Sequence, residues 1–140
     1  MSDETKTARV NAIGLRGELL VTERLIALGW AVSVPIGHQS VYDVIAHKEK
    51  YLHKVQIKCT ESLMKFVGSN APSFQFSCKH GKANHSYSKD EVDFFIFCAL
   101  DCVKFWVLPV NAVKGTHVKI YTGPKCKYGN YENAWNLLET

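Results

Sequence analysis

Val41-Tyr42-Asp43-Val44-Ile45-Ala46-His47, Lys48-Glu49-Lys50 and Tyr51-Leu52-His53-Lys54-Val55-Gln56-Ile57-Lys58-Cys59-Thr60 follow one another without interruption. Two runs rich in β-branched and aromatic residues flank a short polar break, which predicts two strands joined by a hairpin turn. Side chains alternate along a strand, so Val55, Ile57 and Cys59 share one face while Gln56, Lys58 and Thr60 share the other. Asp43 stands in an apolar run, where a lone carboxylate is costly unless a cation or strong hydrogen bonds compensate it. Asp43, Gln56 and Lys58 are therefore candidate site residues on neighbouring strands.

Upstream, Val10, Ile13, Gly14, Gly17, Leu20, Val21, Leu25 and Leu28 recur at three- and four-residue steps, which predicts one long amphipathic helix from Lys6 to Leu28, stopped by Gly29. Gly14 and Gly17 cost helix propensity, so their place on or near the apolar stripe implies that another backbone packs closely there. Glu18 sits at the border of the stripe and can look into a cleft beside the core. Trp30 to Ile36 reads as a first strand ending near Pro35 and Gly37, so three strands should form an antiparallel meander.

Downstream, Ser73 to Cys78 alternates like a strand. Val92 to Leu100 is so continuously apolar that it should be a strand buried on both faces, paired with Val103 to Val110 as a hairpin. Turn signals at Gly115, Gly123-Pro124 and Gly129-Asn130 precede a short helix expected from Tyr131 to Leu138. The aromatic run Phe94, Phe95, Phe97, Phe105 and Trp106 is core material.

The 140 residues suit one domain, and 46% hydrophobic against 21% charged residues is a globular rather than a disordered balance. Lysine and arginine total 17 against 13 acids, a net charge of +4 whose distribution says more than its size. No acid falls between Glu61 and Asp90, or from Cys102 to Tyr131. Such surfaces attract phosphate backbones. Lys79, His80, Lys82, His85 and Lys89 are candidate DNA contacts beside the cleft, as are Lys125 and Lys127 in the Gly123 to Asn130 loop. Cys78, His80 and His85 lack a fourth zinc ligand and are better explained as a core cysteine and surface histidines. Five cysteines without a C-x-x-C pair argue for reduced thiols. A polar start and no apolar run approaching the ~20 residues of a membrane helix lead us to expect a soluble, intracellular, cytoplasmic protein without membrane association.

A helix with Gly17-Glu18, then Gly29-Trp30-Ala31-Val32, Tyr42-Asp43-Val44-Ile45-Ala46, a hairpin and Val55-Gln56-Ile57-Lys58 resembles the PD-(D/E)xK nuclease superfamily in order and spacing. Tyr87 to Phe95 and Phe105 to Val110 resemble that family's second half, so the resemblance spans roughly residues 9 to 112. Within it the chain is most similar to group I intron homing endonucleases of this fold, in which glutamine can replace an acid; Holliday junction resolvases are near relatives. Tyr42 replaces the proline of the family's name, a local backbone matter, and Gln56 replaces the acid.

The resemblance implies an α/β (α+β) restriction-endonuclease-like core. A long N-terminal helix precedes a mixed central sheet with flanking helices, as a single nuclease-like domain over residues 1–140. It also implies a Mg²⁺- or Mn²⁺-dependent endonuclease cutting double-stranded DNA to 5′-phosphate and 3′-hydroxyl ends. Asp43, Gln56 and the Ile57 carbonyl would be metal ligands, Glu18 would bind through water or complete a second metal site, and Lys58 would orient water or stabilise phosphorane charge. Cutting two strands implies a homodimer or homotetramer, and a phage or intron origin is in keeping with the family. Loss of one negative charge at Gln56 weakens divalent-ion binding, although an amide oxygen is still a hard ligand. A junction resolvase and a non-catalytic DNA-binding relative are the alternatives.

Overall fold

The computed structural model describes residues 2–37, 39–65, 71–79, 86–123 and 126–140. Its first helix, α1 (Asp3–Ala27), begins ahead of the apolar periodicity because Ser2 caps it. The Ser2 hydroxyl accepts from the Thr5 N–H, and Asp3 and Glu4 lie at the positive end of the helix dipole. Gly29 ends α1 in a Schellman turn: it takes φ +92°, its N–H bonds the Ile26 carbonyl, and the Trp30 N–H bonds the Leu25 carbonyl at 2.9 Å.

Seven strands follow: β1 (Ala31–Ser33), β2 (Val44–Lys48), β3 (Tyr51–Thr60), β4 (Ser73–Ser77), β5 (Phe94–Ala99), β6 (Lys104–Pro109) and β7 (His117–Tyr121). The main sheet has the order β1-β2-β3-β5-β6, and β4 and β7 form a separate antiparallel ribbon. The expected meander β1-β2-β3 and hairpin β5-β6 are both present, joined by parallel pairing of β3 with β5. That parallel pair is the centre of the sheet. Every residue of β5 is buried, as its unbroken apolar run requires. The mixed sheet behind one long N-terminal helix is a restriction-endonuclease-like fold.

Three boundaries differ from the sequence expectation. β1 stops at Ser33, since Pro35 follows and Val34 and Ile36 are exposed. β2 starts at Val44, so Asp43 precedes the strand rather than lying within it. The expected helix from Tyr131 to Leu138 is instead a pair of 3-10 turns, Gly129–Tyr131 and Trp135–Glu139, because Asn133 takes φ +52°, which a continuous right-handed helix excludes.

α1 covers one face of the main sheet, packing Val21 and Leu25 on Val55, Ile57, Ile96 and Cys98. A Cβ on Gly17 would come within 2.6 Å of the Cys59 Cβ, which accounts for that glycine, whereas Gly14 faces open space and the close packing expected of it is absent. The opposite face is covered by the β4–β7 ribbon, with Phe74, Phe76, Val118 and Ile120 packed on Phe95, Phe97, Trp106 and Leu108. The tail returns to the helix side: Leu138 is buried, its carbonyl lies 2.6 Å from His53 Nε2, and Glu139 pairs with Lys48 at 2.9 Å.

Candidate active site

The backbone of β2 leaves the β3 ladder at Asp43. Its N–H still bonds the Val55 carbonyl at 2.9 Å, but the next donor on β3, the Ile57 N–H, is taken by the carboxylate: Asp43 Oδ2 accepts it at 2.8 Å. A side chain thus replaces a missing strand residue, which satisfies a donor that would otherwise be orphaned. This compensates the apolar setting of Asp43 and leaves most of its acceptor sites open, since an ionised carboxylate has about four lone-pair positions. The N–H and C=O of one strand residue face the same neighbour, so the Ile57 carbonyl also faces the Asp43 side.

Glu18, one residue beyond the Gly17 contact, reaches the same place from α1. Glu18 and Asp43 line a cleft of about 360 Å³ together with Tyr42, Ser40 and Pro35. Burial pushes the Glu18 carboxyl above its usual range, and the neighbouring Asp43 charge pushes it further. Burial also raises Asp43, outweighing the Ile57 N–H bond and the Lys58 charge that favour its ionised form. Two carboxyls held toward protonation in one cleft are relieved by a cation.

Gln56 and Lys58 project from the face of β3 away from α1, opposite Phe95 and Phe97 of β5. Neither lines the carboxylate cleft, yet Lys58 acts electrostatically on Asp43, which therefore stands between a carboxylate on one side and an ammonium on the other. Gln56 is buried, and its Oε1 has no hydrogen-bond partner. A buried acceptor left so costs about 1–3 kcal/mol. Glu18 and Asp43 in the cleft, the Ile57 carbonyl facing it and the Gln56 amide on the other face of β3 offer only oxygen donors, a chemistry that fits Mg²⁺ or Mn²⁺ and not a thiophilic ion. Among the described residues no three His, Cys, Asp or Glu side chains are grouped to hold a metal.

Two neighbours of Lys58 escape a reading of the motif alone. Lys58 Nζ stands 5.5 Å from the centroid of the Tyr87 ring, which meets Phe95 edge-on at 5.3 Å. Burial raises the Tyr87 hydroxyl, with Asp43, Cys78 and Glu91 adding to the shift. Cys78 is buried just beyond β4; burial moves its thiol to about 11, partly opposed by Lys58. Tyr87 begins the second family-like segment, but its approach to Lys58 depends on long-range folding that spacing does not reveal.

Of the candidate DNA contacts, Lys79 is exposed and follows Cys78 in the chain. Lys89 lines a different cavity, of about 260 Å³, with His53, Asp93 and Asn111. Lys127 stands 5.4 Å over the Tyr128 ring in the tail. Neither of these two lines the carboxylate cleft. His80, Lys82, His85 and Lys125 lie outside the described residues. All five cysteines are free thiols, and no helix among the described residues is long and apolar enough to cross a membrane.

Comparisons with known proteins bear on the family and the fold. A family model described as PD-(D/E)XK endonuclease matches residues 10–138. The solved structure of a bacterial homing endonuclease, I-Ssp6803I, superposes with a TM-score of 0.72 at 22% identity, covering 90% of this chain and 88% of that one. No curated protein matches the sequence.

Proposed function

The chain belongs to the PD-(D/E)XK endonuclease family, and from that premise we infer a divalent-metal-dependent endodeoxyribonuclease of the homing type that hydrolyses double-stranded DNA. The observation that carries this reading is Asp43. Its carboxylate is fixed by the Ile57 N–H, shares a cleft with Glu18 and is within electrostatic reach of Lys58.

Asp43, Gln56 and the Ile57 carbonyl would hold Mg²⁺ or Mn²⁺, with Glu18 beside them. When bound, the ion supplies a Lewis acid for the phosphate and lowers the pKa of a water. The chain's own residues do the rest. The Ile57 N–H fixes the Asp43 carboxylate before substrate arrives, so no reorganisation is needed at the moment of reaction. Lys58, braced against the Tyr87 ring, presents an ammonium where negative charge builds on the phosphate and donates to the attacking water. Hydrolysis leaves a 5′-phosphate and a 3′-hydroxyl.

Two cuts require two such sites, so the working form is a homodimer or homotetramer. Exposed Leu15, Leu19 and Ile26, which share the outward side of α1 at helical spacing, support such an assembly. The nuclease reading is tested by offering the protein a random-sequence duplex pool and a four-way junction, each with Mg²⁺ and with chelator. Mg²⁺-dependent cutting of a duplex subset that Asp43→Ala abolishes is expected. Cutting confined to the junction would establish a resolvase instead. Inertness with every substrate and metal, reversed by Gln56→Glu, would establish a decayed nuclease that keeps only DNA affinity.

A further inference from the structure

The two acid-free stretches of the sequence meet in the fold. β4 comes from the first and β7 from the second, and they pair with Ser73 opposite Tyr121, Gln75 opposite Lys119 and Ser77 opposite His117. Strand alternation sends Phe74, Phe76, Val118 and Ile120 into the core and leaves Gln75, Ser77, His117, Lys119 and Tyr121 on the outer face. His117, Lys119 and Tyr121 are exposed, and no acid within either strand neutralises them. Neither His117 nor Lys119 pairs with an acid among the described residues. Gln75 Nε2 donates to the Ser73 hydroxyl at 3.3 Å, which orients its amide along the strand and leaves its carbonyl oxygen and second N–H for another partner.

One end of this ribbon is anchored at the site. Phe76 stacks at 4.5 Å on Phe97, the β5 residue opposite Lys58, and at that same end the Cys78 N–H, one residue past Ser77, bonds the Thr116 carbonyl at 2.7 Å. His117 therefore stands nearest the site, Lys119 further out and Tyr121 furthest. A two-stranded ribbon fits the major groove, where a lysine pairs with guanine O6 and N7 and a glutamine with adenine N6 and N7. Duplex DNA is the occupant that a positive, amide-bearing and aromatic outer face of this width complements.

We propose that the outer face of the β4–β7 ribbon is the base-reading surface of this protein, with Gln75 and Lys119 reading adjacent base pairs in the major groove beside the cut. This rests on the nuclease reading for its substrate, though not for its test. The strand rise of ~3.4 Å per residue makes each step from His117 to Lys119 to Tyr121 cover about two base pairs along the groove.

Bound sequences are selected from a random duplex pool in chelator, where cutting plays no part, using the unmodified full chain, Gln75→Ala, Lys119→Ala and Lys79→Ala. The unmodified chain should enrich a defined sequence. Gln75→Ala and Lys119→Ala should each relax the preference by about 10-fold at one or two neighbouring positions. Lys79→Ala should weaken all sequences alike. The proposal is overturned if the two ribbon variants weaken every sequence equally, if they leave the preference intact, or if the unmodified chain enriches nothing. A selected sequence that is bound through Gln75 and Lys119 but never cut with Mg²⁺ or Mn²⁺ would refute the nuclease reading and sustain the ribbon.

Discussion

The helix-covered face of the main sheet and its ribbon-covered face solve different problems. Under α1 the packing is dry and close: Val21, Leu25, Val55 and Ile96 are fully buried, and Gly17 lies against Cys59 with no room for a methyl group. Under the ribbon the aromatic packing is as complete, with Phe76 stacked on Phe97 at 4.5 Å, but the sheet beside it also carries Gln56 and Lys58. One face supplies a rigid floor and the other positions chemistry above it. Asp43, at the lip between them, is joined to β3 by a hydrogen bond, to Glu18 on the helix side and to Lys58 on the ribbon side by charge.

Removing the ribbon-side cation should have the largest effect. Lys58→Ala should lower single-turnover cleavage about 10²–10³-fold while leaving DNA affinity and urea stability close to the parent. Loss of binding with residual cutting would contradict the assigned role. On the helix side, two glycines three residues apart should respond with opposite signs. Gly17→Ala should cost about 1–3 kcal/mol by overpacking against Cys59. Gly14→Ala, which meets nothing within 4 Å, should gain about 0.5–1 kcal/mol from helix propensity. Equal effects in urea denaturation would remove the contrast.

The brace on Lys58 is a smaller matter. Tyr87→Leu should lower the cleavage rate about fivefold with binding unchanged, and Tyr87→Phe, which keeps the ring, should restore it. A Phe variant as slow as Leu would place the effect in the hydroxyl. The smallest effect is on pH dependence. Burial raises Glu18 and Asp43 in the folded state, and the Asp43 charge raises Glu18 further, so the native protein binds more protons than the unfolded chain across the carboxylate range. The stability they contribute is present below their ordinary values of 4.5 and 3.8 and is lost as pH rises through the folded ones. In metal-free buffer Asp43→Asn, which retains an acceptor for the Ile57 N–H, should therefore gain in melting temperature over the parent as pH rises through that range. An advantage independent of pH would show that the carboxyl is not strained.

Much of this arrangement could be read in the chain. The periodicity of α1, the alternation of β3 and the unbroken apolar run of β5 are local signals, and each element formed where its pattern lies. The neighbourhood of Asp43, Gln56 and Lys58 is legible because a hairpin sets β2 beside β3 within a few residues, whereas the face each side chain takes relative to the cleft is not. Gly14 and Gly17 were indistinguishable by sequence, since helical phase places both near the stripe while only the position of Cys59 decides which is crowded. β7 is not legible in the sequence, because five alternating residues between turn signals are weak alone and gain meaning only from β4 across from them. The tail helix failed at Asn133, whose positive φ is set by its surroundings: its N–H bonds the Phe105 carbonyl at 2.9 Å. Tyr87 and Cys78 reach Lys58 through the same long-range assembly.

β3 also implies an order in time. Its contacts with β2 close a hairpin, a local event on a scale of about 1–10 μs, whereas its parallel pairing with β5 joins Val55 to Phe94 across the intervening chain and is slower for that reason. During refolding the Asp43 carboxylate should find the Ile57 N–H before Lys58 has Tyr87 and Phe97 around it. Protection of the Ile57 amide in pulsed hydrogen exchange should then precede the return of cleavage. Simultaneous recovery would mean that the site assembles in a single step.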